Sequence, residues 1–295
     1  MKIILFLFIG LLFLLVLIIA IGKIVNARKY RISSEAGVQK SEYITIGGIE
    51  QYIQIRGQDI SNPVILMLHG GPGRNMAYYS YGWQADLEKA FTIVQWDQRG
   101  CGNTYYRNKH AEKPTLDLLL SDLDELTEYI RLEYGKEKVI IMGHSWGTFL
   151  GGVYSGKHPE KVSAYIAVGQ MVDFKLSEQV SAQEAIRLAN TAGKTQDAQD
   201  IGDALDSIMA FQKLDMQNAM ELMKFRQLKE KYLPSQYGDK MGALQIFSPY
   251  MTLSEWKWML SFDSLIESNS EIYKGLLSEN NSSVYDYSLR YEIPV

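Results

Sequence analysis

The chain has 295 residues, 46% hydrophobic and 22% charged, enough for one sizeable core with an accessory region. A net charge of −4, with no run of Lys or Arg in the body, argues against nucleic acid as a partner. A single cysteine, Cys101, excludes an intrachain disulfide framework and any multi-cysteine metal site, so no metal or cofactor is expected and stability must come from packing.

Residues 3–21 carry no charge and are almost wholly Leu, Ile, Phe and Val. As a helix they span about 30 Å, one hydrocarbon core. The run is longer than a signal-peptide core, and Ala20 and Gly22 make a poor cleavage site, so 1–29 reads as an uncleaved transmembrane anchor with its flank. A helix apolar on every face suits lipid better than the surface of a domain. Lys23, Arg28, Lys29 and Arg31 follow the run while Lys2 precedes it, which favours a cytoplasmic body without fixing the orientation.

A polar linker over 28–40 leads into an alternating stretch, 43–56, that turns at Gly47-Gly48 and predicts a β-hairpin. Four short apolar runs follow, at 64–68, 92–96, 139–142 and 164–168, of the kind buried on both faces of a parallel sheet. Leu116, Leu119, Leu120, Leu123, Leu126 and Ile130 recur at helical spacing and predict a crossover helix over 116–134. This alternation predicts an α/β, doubly wound core over 30–176. Over 177–285 the strand pattern gives way to Ala, Met, Leu, Gln, Lys and Glu with aromatic clusters such as Trp256 and Trp258, which predicts a helical cap. Strand character returns at 291–295, so 286–295 reads as the start of a further core strand.

The strongest chemical signal is Gly143-His144-Ser145-Trp146-Gly147, a G-x-S-x-G sequence between a predicted strand and a helix starting near Trp146. That is the setting of a nucleophile elbow: the glycines permit the tight turn, and the new helix supplies backbone N–H groups. Ser145 is the candidate nucleophile; a serine that merely caps a helix is the alternative. His69-Gly70-Gly71-Pro72-Gly73 follows another predicted strand and reaches the same edge of the sheet. The backbone amides of Trp146 and Gly71 are the candidate oxyanion donors. A purely structural glycine turn is the alternative for the loop, and His69 fits loop stabilisation better than catalysis.

These two motifs, with Trp96-Asp97-Gln98-Arg99-Gly100-Cys101-Gly102 between them, resemble the proline iminopeptidase family in order and separation over about 43–169. The resemblance implies an α/β-hydrolase fold and a serine exopeptidase that removes an N-terminal residue, often proline, from short peptides. It implies an architectural role for 97–102, and Cys101 reads as a packed residue because nothing nearby lowers its pKa. It also implies acidic cap residues that bind the substrate's amino group; Glu178, Glu184, Glu221, Glu230 and Glu255 are eligible, most of them as solvated helix faces.

In such a fold the acid and histidine of the triad follow the nucleophile on loops after later strands. The four histidines are His69, His110, His144 and His158, and none lies beyond the cap. His158 is roughly 20 Å from Ser145 along the intervening helix, His144 should point away from the nucleophile, and His110 has no motif around it. Asp173 offers an alternative position for the acid. Two strand–helix units, roughly 60 residues, are missing from the expected pattern. The sequence therefore reads as C-terminally truncated, its activity orders of magnitude below that of a complete triad. An anchored esterase or lipase-like hydrolase, and a non-catalytic hydrolase-like binding protein, are the competing readings.

Overall fold

A computed structural model describes residues 2–233, 240–277 and 293–294 of the chain. The N-terminal apolar run forms one helix, α1 (Lys2–Lys29), with no buried residue. It continues past the apolar run because its last turns dock on the body. A Cβ on Gly22 would lie 2.7 Å from Phe247 Cγ and would overlap the ring. Lys23 Nζ donates to the Met251 carbonyl, and Asn26 Nδ2 to Tyr81 Oη and the Phe247 carbonyl, each at 3.0 Å. The expected linker is thus shorter than 28–40, since α1 takes its first residues and the first strand its last.

Strands β1 (Val38–Ile46) and β2 (Ile49–Gly57) form an antiparallel hairpin in which Ile46 faces Ile49. The two residues between them, Gly47 and Gly48, have φ of 54° and 73°, the positive pair a two-residue hairpin turn needs. The four apolar runs become β3 (Val64–Leu68), β4 (Thr92–Trp96), β5 (Val139–His144) and β6 (Val162–Val168). The sheet order is β1-β2-β4-β3-β5-β6, antiparallel as far as β4 and parallel from β4 to β6. Every residue of β3 and β4 is buried, as continuous apolar runs predict for strands covered on both faces.

One face of the sheet, with Leu66, Leu68 and Ile141, packs on α4 (Leu116–Glu133) and α5 (Trp146–Lys157). Thr115 starts α4 by accepting the Leu118 amide, and Leu119, Leu123, Leu126 and Ile130 form its buried stripe. The other face, with Ile65, Met67 and Ile93, packs on the segment of α2 (Ala77–Trp83). Neither α2 nor α3 (Gly102–Arg107) follows from the sequence pattern. The cap region is helical throughout its described part: α6 (Phe174–Thr191), α7 (Thr195–Met209), α8 (Met216–Glu230), α9 (Lys240–Ile246), α10 (Leu253–Leu260), α11 (Phe262–Ser268) and α12 (Ser270–Leu277). Residues 278–292 and Val295, where the end of the cap and most of the last strand are expected, lie outside the described residues. Ile293 packs against the core, and the Pro294 carbonyl accepts the Tyr165 amide of β6 at 2.9 Å.

Candidate active site

Ser145 sits between β5 and α5 with φ 53° and ψ −119°, the one non-glycine residue at positive φ among the described residues. Such a conformation is costly for an L-residue and persists where its surroundings fix it. Here the Ser145 amide donates to the Val168 carbonyl (2.9 Å), and the Ser145 carbonyl accepts from the Thr148 amide (2.8 Å) and hydroxyl (2.6 Å). The pentapeptide glycines are needed for contact, not only for flexibility. A Cβ on Gly143 would come within 2.6 Å of the Gly147 carbonyl carbon, and one on Gly147 within 2.6 Å of the Leu68 carbonyl carbon.

That second approach presses the elbow against the start of the glycine loop, so Ser145 and the loop share one edge of the sheet. A Cβ on Gly70 would stand 3.2 Å from the Ser145 Cβ. Gly71 has φ 116°, and a side chain there would meet the Gly73 amide nitrogen at 2.7 Å. Neither the Gly71 nor the Trp146 amide donates to another group among the described residues. The loop is tied to the cap: Trp258 Nε1 donates to the Gly73 carbonyl (2.8 Å) and Tyr273 Oη to the Pro72 carbonyl (3.4 Å).

A family model for the alpha/beta hydrolase fold matches residues 63–244, which span both motifs and most of the described cap. The chain belongs to this family. Among curated proteins the hydrolase is similar to "Probable aminopeptidase YbaC" of Bacillus subtilis, 33% identical over 144 residues, 49% of this chain and 45% of that protein. It is similar also to the proline iminopeptidase of Lactobacillus helveticus, 31% identical over 120 residues, 40% of each chain. The hydrolase thus matches under half the length of either relative. Among solved structures, it resembles an epoxide hydrolase from Vigna radiata at 20% identity and TM-score 0.45, covering 89% of this chain and 79% of that one.

The histidines of the hydrolase have separate settings. His69 is buried; its Nε2 accepts the Gln98 amide (3.4 Å), which leaves Nδ1 protonated to donate to the Gly70 carbonyl (2.9 Å). Burial lowers its pKa to about 4 and keeps the ring neutral, so it braces the loop as expected. His144 is half-buried, its pKa lowered by desolvation, and it lines an apolar groove with Met67, Met142 and Val168. His158 pairs with Glu160 at 3.2 Å, and His110 is exposed. Asp173 caps α6 by accepting the Leu176 amide at 2.7 Å.

The central motif is architectural. Arg99 makes a two-pronged ion pair with Asp122 of α4, both contacts at 2.8 Å, and donates to the Gly47 carbonyl of the hairpin turn. Cys101 is buried, and burial pushes its thiol pKa up, away from nucleophilic character.

Two of the five eligible cap acids are buried. Glu178 of α6 is enclosed by Arg226 and Lys229 of α8. Glu255 of α10 is 1% exposed and lies against Asp97, which is fully buried. Asn75 Nδ2 donates to both carboxyls at 2.9 Å, and Asn103 Nδ2 bridges them from the other side. Burial raises the pKa of Asp97 to about 6, and burial with the Asp97 charge raises that of Glu255 well above the usual carboxyl range. This seam joins cap to core through residues too far apart in sequence to form a local pattern; the only sequence signal was Asp97 inside its motif.

Proposed function

We propose that the chain is a serine hydrolase of the aminopeptidase type, with an anchor over 1–29, a hydrolase core over 30–176 and a helical cap over 177–285. Ser145 is the nucleophile, and its Oγ attacks the carbonyl carbon of the first peptide bond of a short peptide. The Trp146 and Gly71 amides hold the oxyanion that forms, a task suited to backbone donors with no other partner. The observation that carries this reading is the elbow itself. A serine held at φ 53° by two glycine close approaches, beneath a second glycine loop, is a geometry that packing alone has no reason to keep. The exopeptidase reading is supported by the resemblance to relatives named as aminopeptidases and proline iminopeptidases. The uncharged apolar run 3–21 of α1, with no buried residue, supports attachment to a membrane.

His69 braces the loop and His158 pairs with Glu160, and no base is assigned to Ser145. The test therefore reads the covalent adduct rather than turnover. The full chain in detergent micelles is treated with a fluorophosphonate and, separately, with the p-nitrophenyl esters of L-proline and N-acetyl-L-proline. Phosphonylation is expected at Ser145 ahead of every other serine, and is lost in Ser145→Ala. An adduct from the proline ester but not from its acetylated form supports an exopeptidase. Equal adducts from both esters favour a plain esterase, and labelling no faster than at other serines removes the nucleophile assignment.

A further inference from the structure

Beside the glycine loop lies a cavity of about 180 Å³ whose lining includes Gly71 and Arg74 of the loop, Phe174 of α6, Arg226 of α8, Phe262 of α11 and Tyr273 of α12. Its charge is opposite to what an amino-binding pocket needs. Arg226 and Lys229 share the single carboxylate of Glu178, which leaves that trio with one net positive charge. Arg74 adds a second: it is exposed, and its guanidinium has no ion-pair or hydrogen-bond partner among the described residues. Both arginines act on one point, the Tyr273 hydroxyl. Burial pushes its pKa up to about 12, and Arg226 and Arg74 each pull it back down. The Arg226 guanidinium also lies 5.7 Å from the centre of the Phe174 ring, which holds it at the cavity wall.

The described residues that line the cavity include no carboxylate to receive an ammonium group, and the two buried acids of the cap lie behind its wall. Glu178 is saturated by its two cations, and Glu255 is sealed in the seam with Asp97. Arg226 spends Nε and Nη2 on Glu178 and lends the cavity charge, whereas the Arg74 guanidinium is open to match a carboxylate with two parallel hydrogen bonds, and aromatic walls exclude the water that would compete. Gly71 lines the cavity and its chain neighbour Gly70 lies against Ser145, so the glycine loop links the two.

We propose that this cavity is an anion subsite that takes the free carboxylate of a small peptide, on the leaving side of the bond facing Ser145. Its volume suits one residue rather than a chain, so the preferred substrate is a dipeptide with a free C-terminus. The choice of dipeptide rests on the aminopeptidase reading; the carboxylate preference rests only on the cavity.

The test is equilibrium binding to the full chain in detergent micelles at low ionic strength. L-prolyl-L-alanine is compared with its C-terminal amide, and N-acetyl-L-alanine with its own amide. Each free acid is expected to bind about tenfold more tightly than its amide, with the ratio narrowing as salt is added. Arg74→Met, on an exposed side chain, should bring both ratios close to one while leaving thermal unfolding unchanged. Arg226→Lys keeps the charge that Arg226 lends the cavity and should leave both ratios close to those of the unaltered chain. If acid and amide bind equally in both pairs, or if none binds at millimolar concentration, the subsite does not exist. A preference in the N-acetylalanine pair alone keeps the anion site and removes the dipeptide. Fluorophosphonate labelling of Ser145 stands apart from all of these outcomes, so failure of the hydrolase reading is seen separately.

Discussion

In the core, the buried acids Glu88 and Asp122 each face an arginine, Arg56 and Arg99, whereas at the seam between core and cap Asp97 and Glu255 face each other across two asparagines. Each core acid is held by two nitrogens of its guanidinium, and each pair ties distant segments together. Arg56 also reaches the Tyr30 carbonyl beyond α1, and Arg99 the Gly47 carbonyl in the hairpin turn. The seam has amide donors in place of a cation, so one carboxyl must keep a proton while it is closed. Two kinds of buried acid thus divide the labour: one ties the core together through a cation, and the other joins cap to core through a retained proton.

The comparison breaks most sharply at Arg99. Arg99→Met leaves Asp122 buried without its cation and should cost about 3–5 kcal/mol; adding Asp122→Leu should recover part of that loss. Urea unfolding of both variants checks this, and a small effect of the single change would mean that the pair contributes little beyond packing. A moderate effect is expected at the seam. The folded pKa of Asp97 is raised from 3.8 to about 6, so its contribution to stability is full below the ordinary value and is lost as pH rises through about 6. The higher pKa of Glu255 carries the loss to higher pH. Glu255→Gln should flatten this decline, lowering stability at acidic pH and sparing it at alkaline pH. Hydrogen exchange in α10 followed against pH would show it, and an unchanged slope would place the pH dependence elsewhere. The smallest effect belongs to Arg187 and Glu184, an exposed pair one turn apart on α6. Arg187→Ala should leave the unfolding midpoint unmoved, and a clear shift would show that exposure is a poor guide to which pairs matter here.

The strands were legible in the sequence because burial on both faces demands unbroken apolar runs; β4 coincides with its run, while β5 and β6 extend theirs by two residues each. The elbow was legible because Gly143 and Gly147 are required by close approaches that leave no choice of residue. The seam was not, since Glu255 on α10 looks like any acid on a helix with a polar face until α3 and the Asn75 loop close over it. Likewise α2 offers three tyrosines and a glycine without a helical stripe, and its place is set by Tyr81 Oη donating to the Leu244 carbonyl and by the α1 contact. The positive charges in the cavity were hidden for the same reason. Arg74 and Arg226 meet only after the cap folds back over the glycine loop.

The docking of α1 has a mechanical meaning. A tether with a floppy joint lets an enzyme sweep a hemisphere above its anchor, but Gly22 against Phe247, Asn26 on Tyr81 and Tyr30 edge-on to the same Tyr81 ring leave no such joint. With α1 in a bilayer, as proposed, the catalytic mouth would hold one altitude and one heading. Tilting the helix would swing the mouth with it, so bilayer thickness would set the height and direction of the candidate site.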